Sequence, residues 1–497
     1  MSEREERDSQ PKDDTETRSF SRREFLKIAG IAGVTVGAAG GMGGLLAACG
    51  GTAATTTTAG GVTTTVGGVT TTAAQGTTTS VSAEAGREIK IGFVAPLTGS
   101  LASFGVPDKY CADRATKAFG DAYLCGDGKT HKVTIITQDS QSDSNRAAQV
   151  TGDLVNNSSV DMIVAASTPD TTAPVSTQAE TLGTPCLTTD TPWESWVGAR
   201  SQGNLDAVFK WTYHVFWGAE DVGASMLDAW KNIPTNKVVS MMLPNDADGN
   251  ALRPLYTPIF KNAGYTVVDA GAFADLSEDF TTELAQFKKA GAEIGMGLFI
   301  PPDFTNFWKQ AAQQGYKPKI ATYTKALLFP QSVEALGPIA NNLSTEVWWS
   351  PNHPFKSEFL GQTCQEFAAD FETTQNQQWT QPLLHFLLFD WASDVLKRAT
   401  SVDDKNAIMT AVKGTNITTI AGKVDFTEAV AGSTSNKLGP CHIVENVYKS
   451  PLVLGQWRKS DKYPLNDPGK GFDLVIVDNV TDAEIPVAGT FEAYTGA

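Results

Sequence analysis

Two hydroxyl-rich loops, two acids, two aromatics and one lysine are the residues of this 497-residue chain best suited to hold a small molecule. The loops read Ser167-Thr168-Pro169-Asp170-Thr171-Thr172 and Thr188-Thr189-Asp190-Thr191-Pro192. Hydroxyls beside free backbone N–H groups hold a carboxylate by charge-assisted hydrogen bonds without a cation, and this makes Ser167, Thr168, Thr171, Thr188, Thr189 and Thr191 candidates. Ordinary helix N-capping by the same Thr and Asp residues is the competing account. Thr98, in the earlier loop Pro96-Leu97-Thr98-Gly99, offers another hydroxyl. Asp248, in Asn245-Asp246-Ala247-Asp248-Gly249, and Asp303, after Pro302, favour a ligand bearing an ammonium or several hydroxyls. Asp303 equally suits the first turn of a helix, where an acid meets the positive end of the helix dipole. Trp217, Tyr323 and Lys325 follow predicted strand ends and complete the set. Trp193, Trp196, Trp348 and Trp349 are further aromatics, for which burial of area alone is the plainer account.

These residue types bind rather than react. GxSxG, HExxH and GxxxxGK are absent, and GxGxxG does not occur beyond the N-terminal segment. His131, His214, His353, His385 and His442 share no metal-ligand spacing, and no cysteine pair stands as CxxC. No catalytic residue, metal or cofactor is expected. The formal charge of -16 argues against nucleic acid, since phosphate binding needs clustered Lys and Arg.

The candidates need strands to present them. Ile89 to Gly105, IKIGFVAPLTGSLASFG, reads as strand, loop and helix start, an arrangement suited to ligands. Strands follow at Lys132–Gln138, Val160–Ala166 and Thr184–Thr188, separated by helices over about 101–118, Ser144–Asn156 and about 172–182. After the aromatic stretch Phe209–Trp217 the alternation restarts at Lys237–Leu243, Thr266–Ala270, Glu293–Ile300 and Lys319–Tyr323, with helices near 278–290 and 303–314. Strands alternating with helices make βαβ units, whose crossovers require parallel sheets. The length and the restart predict two α/β lobes. The apolar run in GFDLVIVDNVTDAEIPVAG, past Ser460, predicts one more strand on the second lobe.

The N-terminal region has its own grammar. A charged leader precedes Ser21-Arg22-Arg23-Glu24-Phe25-Leu26-Lys27, which matches a twin-arginine export motif, and a Gly-rich apolar run then ends in Leu46-Ala47-Ala48-Cys49. Small residues before that cysteine resemble a lipobox, so cleavage and acylation at Cys49 are expected. An uncleaved transmembrane anchor also fits the length, although the glycines from Gly30 to Gly44 weaken insertion. Thr, Gly, Ala and Val dominate from Gly50 to Gly86, as in a flexible tether. In an oxidising compartment Cys111 with Cys125 is the first-choice disulfide and Cys364 with Cys441 the second, leaving Cys186 as a buried thiol.

From about Glu88 to Ser460 the chain resembles the branched-chain amino-acid binding proteins of ABC importers, within the type I periplasmic binding protein superfamily. The resemblance is carried by the opening IKIGFVAPLTGS, by FADLSEDFTTELAQFKKAG, by Gly315-Tyr316-Lys317-Pro318, and by Leu383–Arg398 with Gly439-Pro440. It implies two Rossmann-like lobes with parallel-sheet cores joined by a multi-crossover hinge. Residues 1–48 then form the signal, 49–87 the tether, 88–208 and 330–440 the first lobe, and 209–329 and 441–497 the second. The family places an aromatic that packs on ligand where Phe104 stands, Ser and Thr for the ligand's amino and carboxyl groups in the two hydroxyl loops, and an ammonium-pairing carboxylate at Asp303. Pro169 and Asp170 depart from its Ser-Gly character, and Asp248 stands where it commonly has Tyr. The implied function is that of a monomeric, lipid-anchored binder outside the cytoplasmic membrane, which captures an amino acid or related compound for an ABC permease. Alternatives are a ligand-sensing subunit of a membrane receptor and an exported enzyme.

Overall fold

The structure, a computed structural model, describes residues 83–431 and 441–496. The export motif, Cys49, the tether up to residue 82 and the Gly439-Pro440 pair lie outside the described residues. Among the described residues no helix is long and apolar enough to cross a membrane.

Two seven-stranded sheets organise the chain. In the first, the order is His442–Val444, Val447–Tyr448, Thr212–Val215, Cys186–Thr189, Met162–Ala165, Ile89–Ala95, Val133–Asp139. Its pairs are parallel apart from His442–Val444 against Val447–Tyr448. Side chains alternate across it as strand geometry demands. Ile91, Phe93 and Ala95 join the large core on one face, while Val94, Ile163 and Ala165 meet Val150, Leu154 and Val175 of helices Ser144–Asn156 and Pro169–Thr181 on the other. Both faces are therefore covered, which is why its strands read as continuous apolar runs.

The second sheet runs Gly471–Asp478, Val453–Ser460, Ser344–Val347, Ile320–Lys325, Ile294–Phe299, Val238–Pro244, Thr266–Phe273. The first two strands are antiparallel additions to a parallel core. One face carries a dense aromatic cluster in which Phe299, Phe304, Phe307 and Trp308 surround Tyr323.

Sheet membership corrects the lobe boundaries. Thr212–Val215 pairs with Cys186–Thr189, so the chain leaves the first lobe after Val215 rather than before Phe209. Ser344–Val347 belongs to the second sheet, and Val447–Tyr448 pairs with Thr212–Val215 in the first. The return crossings accordingly fall after Val347 and after Tyr448, not at 330 and 441. In each case the strand lies inside a sheet, between partners that apolar content alone does not assign. The tether also ends earlier: Ala85 bridges Thr130, and Arg87 pairs with Asp161 and Asp403.

Two crossings are clasped together. Lys449, just past Val447–Tyr448, is buried with its ammonium 3.0 Å from Glu220 and 2.5 Å from Asp221, at the start of helix Ala219–Trp230.

Neither expected disulfide forms. Cys111 and Cys125 are buried free thiols with separate neighbours, the sulfur of Cys111 near the Leu383 carbonyl and that of Cys125 near the Tyr123 carbonyl. Cys364 is also free, its sulfur 3.2 Å from the Ile420 carbonyl, and so is not bonded to Cys441. Cys186 is a buried free thiol, and burial pushes its pKa up to about 12. Proximity in sequence does not bring Cys111 and Cys125 together: Cys111 lies midway along helix Gly105–Phe119, whereas Cys125 lies in the turn between strands Tyr123–Leu124 and Thr130–His131.

Candidate functional site

A cleft lies where strands of both sheets end, the usual place for a ligand in parallel α/β architecture. The first lobe lines it with Phe104, Thr168, Asp190, Pro192, Phe216 and Trp217. The second contributes Asp248, Leu252, Tyr256, Leu298, Thr324, Lys325, Leu328 and, from strand Ser344–Val347, Glu346, and the crossing after that strand adds Trp348. The space between these residues, counted out into the open mouth, is about 400 Å³.

The loops that present these groups are conformationally unusual. Ser167, Thr168, Asp190 and Lys325 have φ of 72, 75, 63 and 66°, a region that side-chain-bearing residues seldom adopt. Such strain persists only where the surroundings over-determine it. Here the Thr168 N–H donates to the Asp190 carbonyl, and the Lys325 N–H donates to Glu346, which knits loop to loop. Gly249 lets the next element come close. A Cβ there would lie 2.0 Å from the Pro244 carbonyl oxygen, so a bare backbone is needed where helix Ala247–Asn262 starts and carries Asp248 into the cleft.

Two charged assemblies flank the aromatic surface. On the first-lobe side His385 is fully buried, with Nδ1 2.6 Å from Asp108 and Nε2 3.1 Å from Asp190. Burial alone would lower its pKa, but the two carboxylates outweigh that and raise it to about 9, so the ring is an imidazolium donating from both nitrogens. On the second-lobe side the Lys325 ammonium lies 2.8 Å from Asp248 and 3.8 Å from Asp246. Burial pushes the Asp248 carboxyl up to about 7 against the pull of Lys325, and it likewise pushes Glu346 to about 7.

The expected residues divide. Phe104, Thr168, Trp217, Asp248 and Lys325 line the cleft. The Thr168 hydroxyl and the Trp217 indole N–H are buried without a hydrogen-bond partner. Ser167 is buried beside the cleft, its hydroxyl donating to Asp108 at 3.1 Å. Thr171 is buried on the helix that follows, its hydroxyl also unpartnered. Thr188, Thr189 and Thr191 are absorbed by the fold: Thr188 meets His214 Nδ1 at 2.8 Å, Thr189 donates to the Val215 carbonyl, and Thr191 meets Thr172 at 2.6 Å. Thr98 is exposed and closes a turn on Asp139 at 2.6 Å.

On the second lobe, too, expected residues stand outside the cleft lining. Tyr323 is sealed in the aromatic core of the second lobe. Asp303 is buried in the first turn of helix Pro301–Gln313, where it accepts the Leu276 N–H at 3.0 Å. Conversely, Asp108, His385, Tyr256 and Glu346 are not singled out by the sequence. Glu346 had a signal, an acid inside the apolar run Ser344–Trp349, whereas His385 and Asp108 meet only through the fold, 277 residues apart.

Comparisons bear on the fold. The periplasmic binding protein family matches residues 88–439. The chain is similar to a leucine binding protein from Thermotoga maritima, with 16% identity and a TM-score of 0.62 over 79% of this chain and 99% of that one. It is similar to a branched-chain amino acid transporter substrate binding protein from Streptococcus pneumoniae in complex with isoleucine, with 16% identity and a TM-score of 0.61 over 79% and 99%. A third likeness is to a solute binding protein of an ABC transporter from Rhodopseudomonas palustris in complex with 3,4-dihydroxybenzoic acid, with 18% identity and a TM-score of 0.59 over 80% and 99%.

Proposed function

Because the chain belongs to the periplasmic binding protein family, with the type I two-lobe fold, we propose that it is an extracytoplasmic solute-binding protein of an ABC importer, taking an amino acid or related small polar compound. The observation that carries this reading is the composition of the cleft. Phe104, Thr168 and Asp190 come from one lobe and Asp248, Leu252 and Lys325 from the other, so a ligand between them contacts both. Such a ligand favours the closed arrangement by its differential affinity for that arrangement. No covalent step is needed. The likeness to a leucine binding protein, a branched-chain amino acid transporter substrate binding protein and a solute binding protein of an ABC transporter supports the same reading.

Closure would present a ligand-loaded shape to a permease, with the protein held at the outer face of the cytoplasmic membrane by a lipid on Cys49 and a Thr-rich tether. A lipid mass on the N-terminal peptide of the mature protein tests the anchor. The central test is thermal unfolding of the full-length chain against amino acids, amides, polyamines, sugars and carboxylates. A compound at a hundredfold excess over its Kd stabilises the native state by about 2.7 kcal/mol. Scattering measured alongside should show a smaller radius of gyration. Turnover of a bound compound would overturn the reading in favour of an enzyme.

A further inference from the structure

This inference rests on the solute-binding reading and names the class of solute. We propose that the cleft is built for an α-amino acid with an aromatic side chain, its ring on the aromatic walls, its ammonium at Asp190 and Asp248, and its carboxylate on Thr168 and Trp217.

The ring follows from the walls. Phe104 lies nearly parallel to His385, with centroids 6.1 Å apart and an interplanar angle of 10°, and Trp348 stacks on the same imidazole at 6.2 Å. Phe216 stands edge-on to Trp348 at 5.2 Å and tilts against Trp217 at 4.5 Å. Tyr256 faces the cleft from the second lobe. These flat faces and edges meet a planar ring by offset stacking and edge-to-face contact, attractions that an aliphatic side chain of equal area does not make.

The ends of the ligand follow from the polar groups. Asp108, Asp190, Asp246, Asp248 and Glu346 set five acids around the two cations Lys325 and His385, an imbalance that favours a cationic group on the ligand. Asp190 and Asp248 each engage a cation through Oδ2, which leaves Oδ1 to accept from an ammonium. The unpartnered buried groups in the lining are the Thr168 hydroxyl and the indole N–H groups of Trp217 and Trp348, of which Thr168 and Trp217 belong to the first lobe. Buried donors normally find acceptors, and a carboxylate supplies two. The ammonium and the carboxylate of the ligand thus each meet partners of their own.

The test is calorimetric titration of the full-length chain, in non-ionic detergent, with L-phenylalanine, L-tryptophan and L-leucine. Two truncations of phenylalanine complete the set: 3-phenylpropanoate, which lacks the ammonium, and phenethylamine, which lacks the carboxylate. The expected result is that one aromatic amino acid binds at least about tenfold more tightly than leucine, and that each truncation weakens binding at least about tenfold. Thr168→Val should lower the affinity for that amino acid about tenfold while leaving the unfolding midpoint unchanged or raised, because its hydroxyl has no partner to lose. Trp217→Phe keeps the wall, removes the N–H and should act alike. Leucine binding as tightly as the aromatic amino acids would overturn the aromatic assignment and leave the solute-binding reading standing. Equal binding of 3-phenylpropanoate would overturn the ammonium contact. If none of the three amino acids binds while another compound shifts the unfolding midpoint, this inference fails and the broader one survives.

Discussion

His385 joins Asp108 through a 2.6 Å contact that ties the helix opening the first lobe to the segment returning to it 277 residues later. With Asp190 on its other nitrogen, the imidazole fixes the strained loop that carries Asp190 into the cleft. Folding raises its pKa from 6.5 to about 9, so the native state holds this proton more tightly than the unfolded chain does. The contribution is complete below pH 6.5 and is lost as pH rises through about 9. Its ceiling is about 3 kcal/mol from the size of the shift. Denaturant unfolding at pH 6 and pH 9.5 should therefore show a larger stability loss in the native chain than in His385→Gln. Equal losses would mean that the ring does not carry the charge.

Lys325 and Asp248 form the matching pair on the other lobe, both almost wholly buried and 2.8 Å apart. Removing one member of a buried pair strands the other without compensation, a loss of about 3–5 kcal/mol. Lys325→Met should lose that much in urea unfolding. Lys325→Met combined with Asp248→Leu should recover part of it, since Asp246, 3.8 Å from the ammonium, is then the only carboxylate of this pair of contacts left without its cation. A double variant as unstable as the single one would place the stability of this corner in packing.

The alternation of strands and helices was legible because each element buries both faces or one clear stripe, as Ile89–Ala95 and helix Ser144–Asn156 do. What escaped were relations that no local pattern encodes. Thr212–Val215 belongs inside the first sheet, paired on both sides, although its aromatic surroundings look like a crossing. The hydroxyl loops were found, yet Thr188, Thr189 and Thr191 use their hydroxyls on the protein itself, as Thr commonly does near strand ends and helix starts. Thr168 reaches the cleft from just beyond the end of strand Met162–Ala165, and Phe104 from the turn that opens the helix after Ile89–Ala95. His385 lies within an apolar run whose periodicity advertises only core, and its partners arrive from distant loops.

Asp303 shows the consequence most sharply. Its position after a strand in the second lobe suggests a partner for a ligand's ammonium, but it is buried outside the cleft lining, with Oδ2 on the Leu276 N–H and Oδ1 without a partner. Burial raises its pKa from 3.8 to about 6, so the folded chain binds the proton more tightly, and stability falls as pH climbs from about 4 through 6. Asp303→Asn keeps an acceptor for Leu276 and removes the buried charge. The variant should gain about 1–3 kcal/mol at pH 8 and little at pH 4, and its affinity for ligand should stay within about twofold. Urea unfolding at the two pH values, with one titration of whichever ligand the panel identifies, decides the matter. An affinity loss of tenfold or more without a gain in stability would return Asp303 to the binding site.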